Sequence, residues 1–244
     1  MQRTVQILTA DAEPSGPYLR AVYDADSETY FAPDPSPELV AFMKAERARL
    51  GVERFTGAGT KTAIIDTGML SLHPWIAPRL VGSMDFTGEG PEDLNGHGTQ
   101  VALLTVLWAP GTELLNVKVI GADGFGDERW LVEGIDWAVS QGCDSINISA
   151  GVYRKKWGIL PCDGTCRVCK AATSAARAGV LVVAAAGNTP RMTACPASAG
   201  VRRRAPIVAL ASWDLGKQAP ASYSGRGNVF APAVDGKIRM RPVR

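Results

Sequence analysis

Only two histidines occur in the 244 residues, so chemistry that needs an imidazole must use His73 or His97. Long apolar runs are missing as well: no stretch approaches the roughly 18 consecutive apolar residues of a membrane-spanning helix. The opening Met1-Gln2-Arg3-Thr4-Val5-Gln6-Ile7-Leu8 has no apolar run of the length a secretory signal needs. These absences set the expectation of a cytoplasmic protein without membrane contact. Thiols stay reduced there, so the five cysteines do not by themselves announce disulfides. A net charge of only +2 gives no broad positive field for nucleic acid. The local basic runs, Arg202-Arg203-Arg204 and residues 237–244, read as solvated surface. Internal repeats and low-complexity segments are absent too.

What is present suits one α/β domain. With 46% hydrophobic and 20% charged residues, the chain can bury a sizeable core. Residues 1–57 read as an irregular leader with one helix near 36–50. Ser36 is placed to cap that helix, Pro37 suits its first position, and Leu39, Phe42 and Met43 form an apolar face. Residues 58–244 form the main domain. Strands are expected at 62–66, 80–86, 113–120, 144–149, 180–185, 206–211 and around Val229, with helices at 97–107, 127–141 and 169–178. The segment 180–185 is apolar throughout, which predicts burial of both its faces. Such alternation predicts a mostly parallel sheet with helices on both faces, whose sites form at the carboxyl ends of the strands. Asp66 ends the first core strand, and Asn188 follows a later one.

Three short stretches carry the chemistry: Ala63-Ile64-Ile65-Asp66-Thr67-Gly68, Asn95-Gly96-His97-Gly98-Thr99 and Val183-Ala184-Ala185-Ala186-Gly187-Asn188. An imidazole that takes a proton from a nucleophile needs a carboxylate on its far nitrogen to hold the tautomer. His97, between two glycines at a helix start, and Asp66, at a strand end, are the residue types and positions for that pair. His73, followed by Pro74, is the rival base, and packing or capping explains it better. The order Asp66, His97, Asn188 and the flanking residues resemble the subtilisin-like serine peptidase family over about residues 58–232. The resemblance implies an α/β three-layer fold, a mostly parallel central sheet, and peptide or protein substrates cleaved without a cofactor. It also implies roles: Asp66 orients His97, His97 is general base and then acid, and Asn188 donates to the oxyanion. Ser149, Ala150 and Gly151 would pair with extended substrate, and Ala185, Ala186 and Gly187 would wall the specificity pocket. Small residues on both walls leave room for a large apolar side chain. No calcium site can be placed.

The family's nucleophile sits in a Gly-Thr-Ser-Met-Ala motif beyond a segment like Phe230-Ala231-Pro232. Residues 233–244 contain no Ser, Thr or Cys. By this comparison the chain is C-terminally truncated relative to the family. The serine is expected outside it, brought by a partner chain that completes the fold, or lost. Ser149, Ser222 and Ser224 are poor substitutes. Two functions follow: an endopeptidase inactive as this chain alone, or a pseudopeptidase that holds extended peptides or a partner protein.

A second constellation lies in a Cys-rich insertion at about 153–170. Cys162, Cys166 and Cys169, with Cys195 downstream, have spacings that suit a structural zinc site. Disulfides, unbound thiols and an iron–sulfur cluster remain open alternatives. Cys143 reads as core.

Overall fold

Ala63, Ile64 and Ile65 make both faces of the strand Lys61–Asp66 (β1) apolar, and all three are buried. The strand lies inside an eight-stranded sheet whose other members are Leu80–Asp85 (β2), Glu113–Lys118 (β3), Ser145–Ile148 (β4), Leu181–Ala185 (β5), Val208–Leu210 (β6), Asn228–Pro232 (β7) and Ile238–Pro242 (β8). Across the sheet the order is β8-β7-β6-β5-β4-β1-β3-β2. Strands β1 to β7 run parallel, and β8 returns antiparallel on β7. This computed structural model describes residues 4–7, 22–24, 29–31, 34–153, 155–156, 160–190, 192–202, 205–214, 217, 219–225, 227–232 and 238–242.

Helices cover both faces, as expected of parallel strands. On one face lie Pro37–Arg49 (α1) and His97–Trp108 (α2), packing Ala102, Leu103 and Val106 against Ile64 and Leu114. Leu39 and Met43 of α1 close on Leu107 behind them. Ser36 caps α1 by accepting from the Leu39 amide at 3.2 Å, with Pro37 in the first position. On the other face lie Glu128–Ser140 (α3), Arg167–Arg177 (α4) and the short Ala197–Val201 (α5). There Leu131 and Ile135 join Ile65, Val117, Ile146 and Val182 in the larger core. Gly134 lets α3 come close: a Cβ there would stand 2.8 Å from Val119 Cγ1.

Two expectations need correction. The strand β5 is not buried on both faces: Val182 and Ala184 are, whereas Leu181 is 51% exposed and Val183 and Ala185 only partly covered. Among the described residues the cluster under α2 takes in Ile64 of β1, Leu114 of β3 and Leu80 of β2 but nothing from β5 or β6, and Val208 and Leu210 of β6, level with Val183 and Ala185, are partly exposed too. The leader is also less irregular than its composition implies. Thr4–Ile7 forms a strand, and Val22–Asp24 pairs with Thr29–Phe31 as an antiparallel hairpin. Thr4–Ile7 finds its partners more than a hundred residues away, a pairing that no local pattern announces. Among the described residues, no helix is long and apolar enough to cross a membrane.

Candidate active site

Parallel strands bring their carboxyl ends to one edge, and there β1 ends in the buried Asp66. His97, the first residue of α2, points its Nδ1 at Asp66 Oδ1 across 2.7 Å. The same Oδ1 accepts the Thr67 amide at 2.8 Å, while Oδ2 is buried without a hydrogen-bond partner. A carboxylate on Nδ1 makes that nitrogen the donor and leaves Nε2 as the atom that can take a proton. Gly98 is required by this closeness: a Cβ there would overlap the Gly68 carbonyl oxygen and stand 3.2 Å from Asp66 Cβ.

Asp93 holds the two halves of the pair together, and sequence reasoning did not single it out. It is buried. Its Oδ1 accepts from Thr67 Oγ1 at 2.8 Å and from the Asn95 and Gly96 amides at 3.0 and 2.7 Å. Its Oδ2 accepts from the Thr99 amide at 2.8 Å and Thr99 Oγ1 at 2.6 Å. Thr67 Oγ1 in turn accepts the Gly98 amide at 2.9 Å. One carboxylate thus ties the turn after Asp66 to the helix start that carries His97. The available signal was the Asp93-Leu94-Asn95-Gly96 turn, since an Asp there can accept the amides that follow it.

Burial opposes a charge on His97, but the charge and hydrogen bond of Asp66, helped by the charge of Asp93, outweigh it and raise the imidazole above its ordinary 6.5. A histidine raised in this way stabilises the fold fully below its unfolded value. That contribution is lost as pH rises through the folded value. Base function has the opposite sign, because it needs the neutral ring. Following the His97 ring by NMR should therefore give a midpoint above 6.5 that falls in Asp66→Asn; a midpoint at or below 6.5 in the unaltered chain would contradict this geometry.

His73 has a different job. Its Nδ1 accepts the Trp75 amide at 3.3 Å within a turn, and its Nε2 lies 3.7 Å from Asp34 Oδ1. Two of the candidate serines have structural partners. Ser149 Oγ accepts from Asn147 Nδ2 at 2.9 Å, and buried Ser224 accepts the Ser212 amide and donates to the Gly225 carbonyl.

Ala150 and Gly151, expected to pair with extended substrate, form a two-residue strand directly after β4 and Ser149. It is already paired. Thr4–Ile7 lies antiparallel between it and Phe125–Asp127, with Gln6 opposite Gly151 and Ile7 opposite Ala150 on one side, and Thr4, Val5 and Gln6 opposite Asp127, Gly126 and Phe125 on the other. Past β5, Ala186 donates to the Leu210 carbonyl at 2.6 Å and accepts from Ala194 at 2.9 Å. Gly187 adopts a left-handed φ of 97° beside the Tyr153 ring, where a Cβ would collide with the phenol oxygen. The Asn188 backbone N–H donates to that oxygen at 2.5 Å. Tyr153, another residue not foreseen, thus links the strand after Gly151 to the loop carrying Asn188.

The cysteines also gather. Sγ atoms of Cys162, Cys166, Cys169 and Cys195 lie within 4.8 Å of one another. The helix expected at 169–178 starts earlier, with Cys166 as the cap of α4. Cys143 stands apart in the core, where burial pushes its thiol up to about 11.

A carboxylate–imidazole pair at the carboxyl edge of an α/β sheet, near the short strand Ala150–Gly151, is an arrangement suited to general-base chemistry. Sequence comparison makes the class specific. The model of the subtilase family, Peptidase_S8, matches residues 57–240. The chain is 31% identical over 214 residues to subtilisin DY of Bacillus licheniformis, covering 81% of this chain and 72% of that one. It is 36% identical over 194 residues to subtilisin BL of Lederbergia lenta, covering 74% and 66%. With the major intracellular serine protease of Bacillus subtilis (strain 168) it shares 36% over 169 residues, covering 62% of this chain and 49% of that protein. The chain belongs to the subtilase family.

Proposed function

We propose that this chain carries the Asp, His and oxyanion-donor parts of a serine endopeptidase that cleaves peptide bonds through an acyl-enzyme. The observation that carries the reading is the 2.7 Å contact between His97 Nδ1 and a buried Asp66. Asp66 orients the ring and stabilises the imidazolium. Nε2 of His97 removes the nucleophile's proton and returns it to the leaving amine. Asn188 donates to the oxyanion; loss of such a donor costs about 10²–10³ in rate, a scale known from subtilisin itself rather than derived from this geometry. Extended substrate pairs with Ser149, Ala150 and Gly151, as Thr4–Ile7 does with the last two. Ala185, Ala186 and Gly187 wall a pocket for its side chain. This hydrolysis requires no cofactor, and any metal at the cysteines has a structural role.

Residues 1–244 hold no Gly-Thr-Ser-Met segment, so the nucleophile comes from outside them, from further chain or from a partner. The partly exposed Val183, Ala185, Val208 and Leu210 support this, because inner strands of parallel sheets are normally covered on both faces. A second reading, a groove that binds extended peptides or a partner protein without cutting, is favoured by the strand that Thr4–Ile7 already adds there.

Fluorophosphonate labelling tests the choice, applied to residues 1–244 and to the product of the reading frame followed past residue 244. Labelling of the longer product at one serine, abolished by His97→Ala, is the expected result. A folded longer product that stays unlabelled, even with candidate partners added, would leave the binding reading.

A further inference from the structure

We infer that Cys162, Cys166, Cys169 and Cys195 form a closed tetrathiolate site for a zinc-type divalent cation, and that the ion braces the two walls of the peptide groove. Zinc bound to four thiolates at about 2.3 Å needs sulfurs about 3.8 Å apart, and four Sγ atoms within 4.8 Å of one another already approximate that tetrahedron. Cys162, Cys169 and Cys195 are buried and Cys166 is partly exposed. The thiols are unpaired as disulfides. Four protein sulfurs complete a tetrahedron by themselves, so no position is left open for a reacting water and the ion is structural.

Hydrogen-bond donors stand beside the sulfurs, and the Pro196 carbonyl lies 4.0 Å from Cys169 Sγ. Buried Ser198 Oγ stands 3.1 Å from Cys169 Sγ and 3.2 Å from Cys195 Sγ, a hydroxyl shared between two of the ligands. The Gly164 amide donates to Cys162 Sγ at 3.4 Å. Cys166 caps α4 and Cys169 lies in its first turn, so two sulfurs sit at the positive end of a helix. Donors of this kind orient thiolate ligands and spread their charge. Binding is redox-neutral: the cation replaces the thiol protons, which leave to solvent.

The position of the fourth ligand gives the ion its second role. Cys195 exchanges both backbone hydrogen bonds with Val152, at 2.9 and 3.2 Å, and Val152 directly follows the groove strand Ala150–Gly151. Its neighbour Ala194 donates to Ala186 on the opposite wall. The other three ligands sit in the insertion and at the start of α4. An ion that joins them to Cys195 therefore fixes the spacing between both walls. This bracing role rests on the peptide-groove reading; the metal site does not.

Protein purified without chelator should carry one zinc per chain by native mass spectrometry, with four cysteines unreactive until chelator is added. Stripped protein titrated with cobalt(II) should develop thiolate charge-transfer and tetrahedral d–d bands. Ser198→Ala should keep all four ligands and weaken zinc about 10–100-fold against a competing chelator. Chelation should speed amide exchange in peptides containing Val152 and Cys195 and leave β1 unchanged. Zinc below about 0.2 per chain without a cobalt spectrum, or a mass showing two disulfides, would overturn the site. Full zinc with unchanged exchange at Val152 and Cys195 would overturn the bracing. None of these readouts needs hydrolysis, so they stand apart from the outcome of fluorophosphonate labelling.

Discussion

His97→Ala is expected to lower turnover by about 10⁶-fold in the nucleophile-bearing product, a scale known from subtilisin rather than derived from these distances. The reason here is that Nδ1 is committed to Asp66, and the only other imidazole, His73, is committed to its own turn. Asp66→Asn should cost about 10⁴-fold. An amide at that place no longer demands an N–H on Nδ1, so the ring can hold its proton on the wrong nitrogen. Steady-state hydrolysis of a peptide substrate measures both, with unfolding curves to show that each variant is folded. His97→Ala retaining more than about a hundredth of the rate would sink its role as base, since a positioned acid–base group contributes at least about 10².

Asp93→Ala should be the most destabilising polar substitution at the site, costing about 4 kcal/mol. Buried donors stripped of their acceptor lose about 1–3 kcal/mol each, and partial relaxation keeps the sum below simple addition. Five hydrogen bonds end on this carboxylate. Denaturant unfolding would read the loss directly. The melting temperature should fall by roughly 10 °C for a chain of this size. The variant should also lower the His97 midpoint, because the charge of Asp93 favours the imidazolium. A loss below about 1 kcal/mol, the ordinary effect of a point mutation, would mean that Asp93 does not organise the site. Should Asp93→Ala fail to fold, Thr67→Val probes the same relay through the Gly98 amide.

Much of this was legible in local patterns. The aliphatic run before Asp66, the glycines around His97 and the Ser36-Pro37 pair each specify an element through neighbours within one turn or one strand. The elements formed as expected from these signals. The edges of elements were less legible. The helix expected from Cys169 begins at Arg167, after a Cys166 at the cap position that makes no side-chain capping hydrogen bond and so gives no signal in the sequence. The contacts of Tyr153 and Ser198 were not foreseen. Each acts on a residue some thirty positions away, Tyr153 on Asn188 and Ser198 on Cys169.

The residue types and their order along the chain therefore point to the α/β class, to Asp66 and His97 as a pair, and to four cysteines as one candidate group. Periodicity and spacing are properties of near neighbours, and the functional groups that each residue type carries are given before folding. Three features depend on contacts between distant segments: the carboxylate of Asp93 at the junction of β1 and α2, the pairing of Thr4–Ile7 with Phe125–Asp127 and Ala150–Gly151, and the partly exposed sheet face at Val183 and Leu210. Each depends on which surfaces meet once the chain is closed. A strand as short as Thr4–Ile7 has too few local interactions to specify its partner. A buried carboxylate is recognisable only when the donors that converge on it are known.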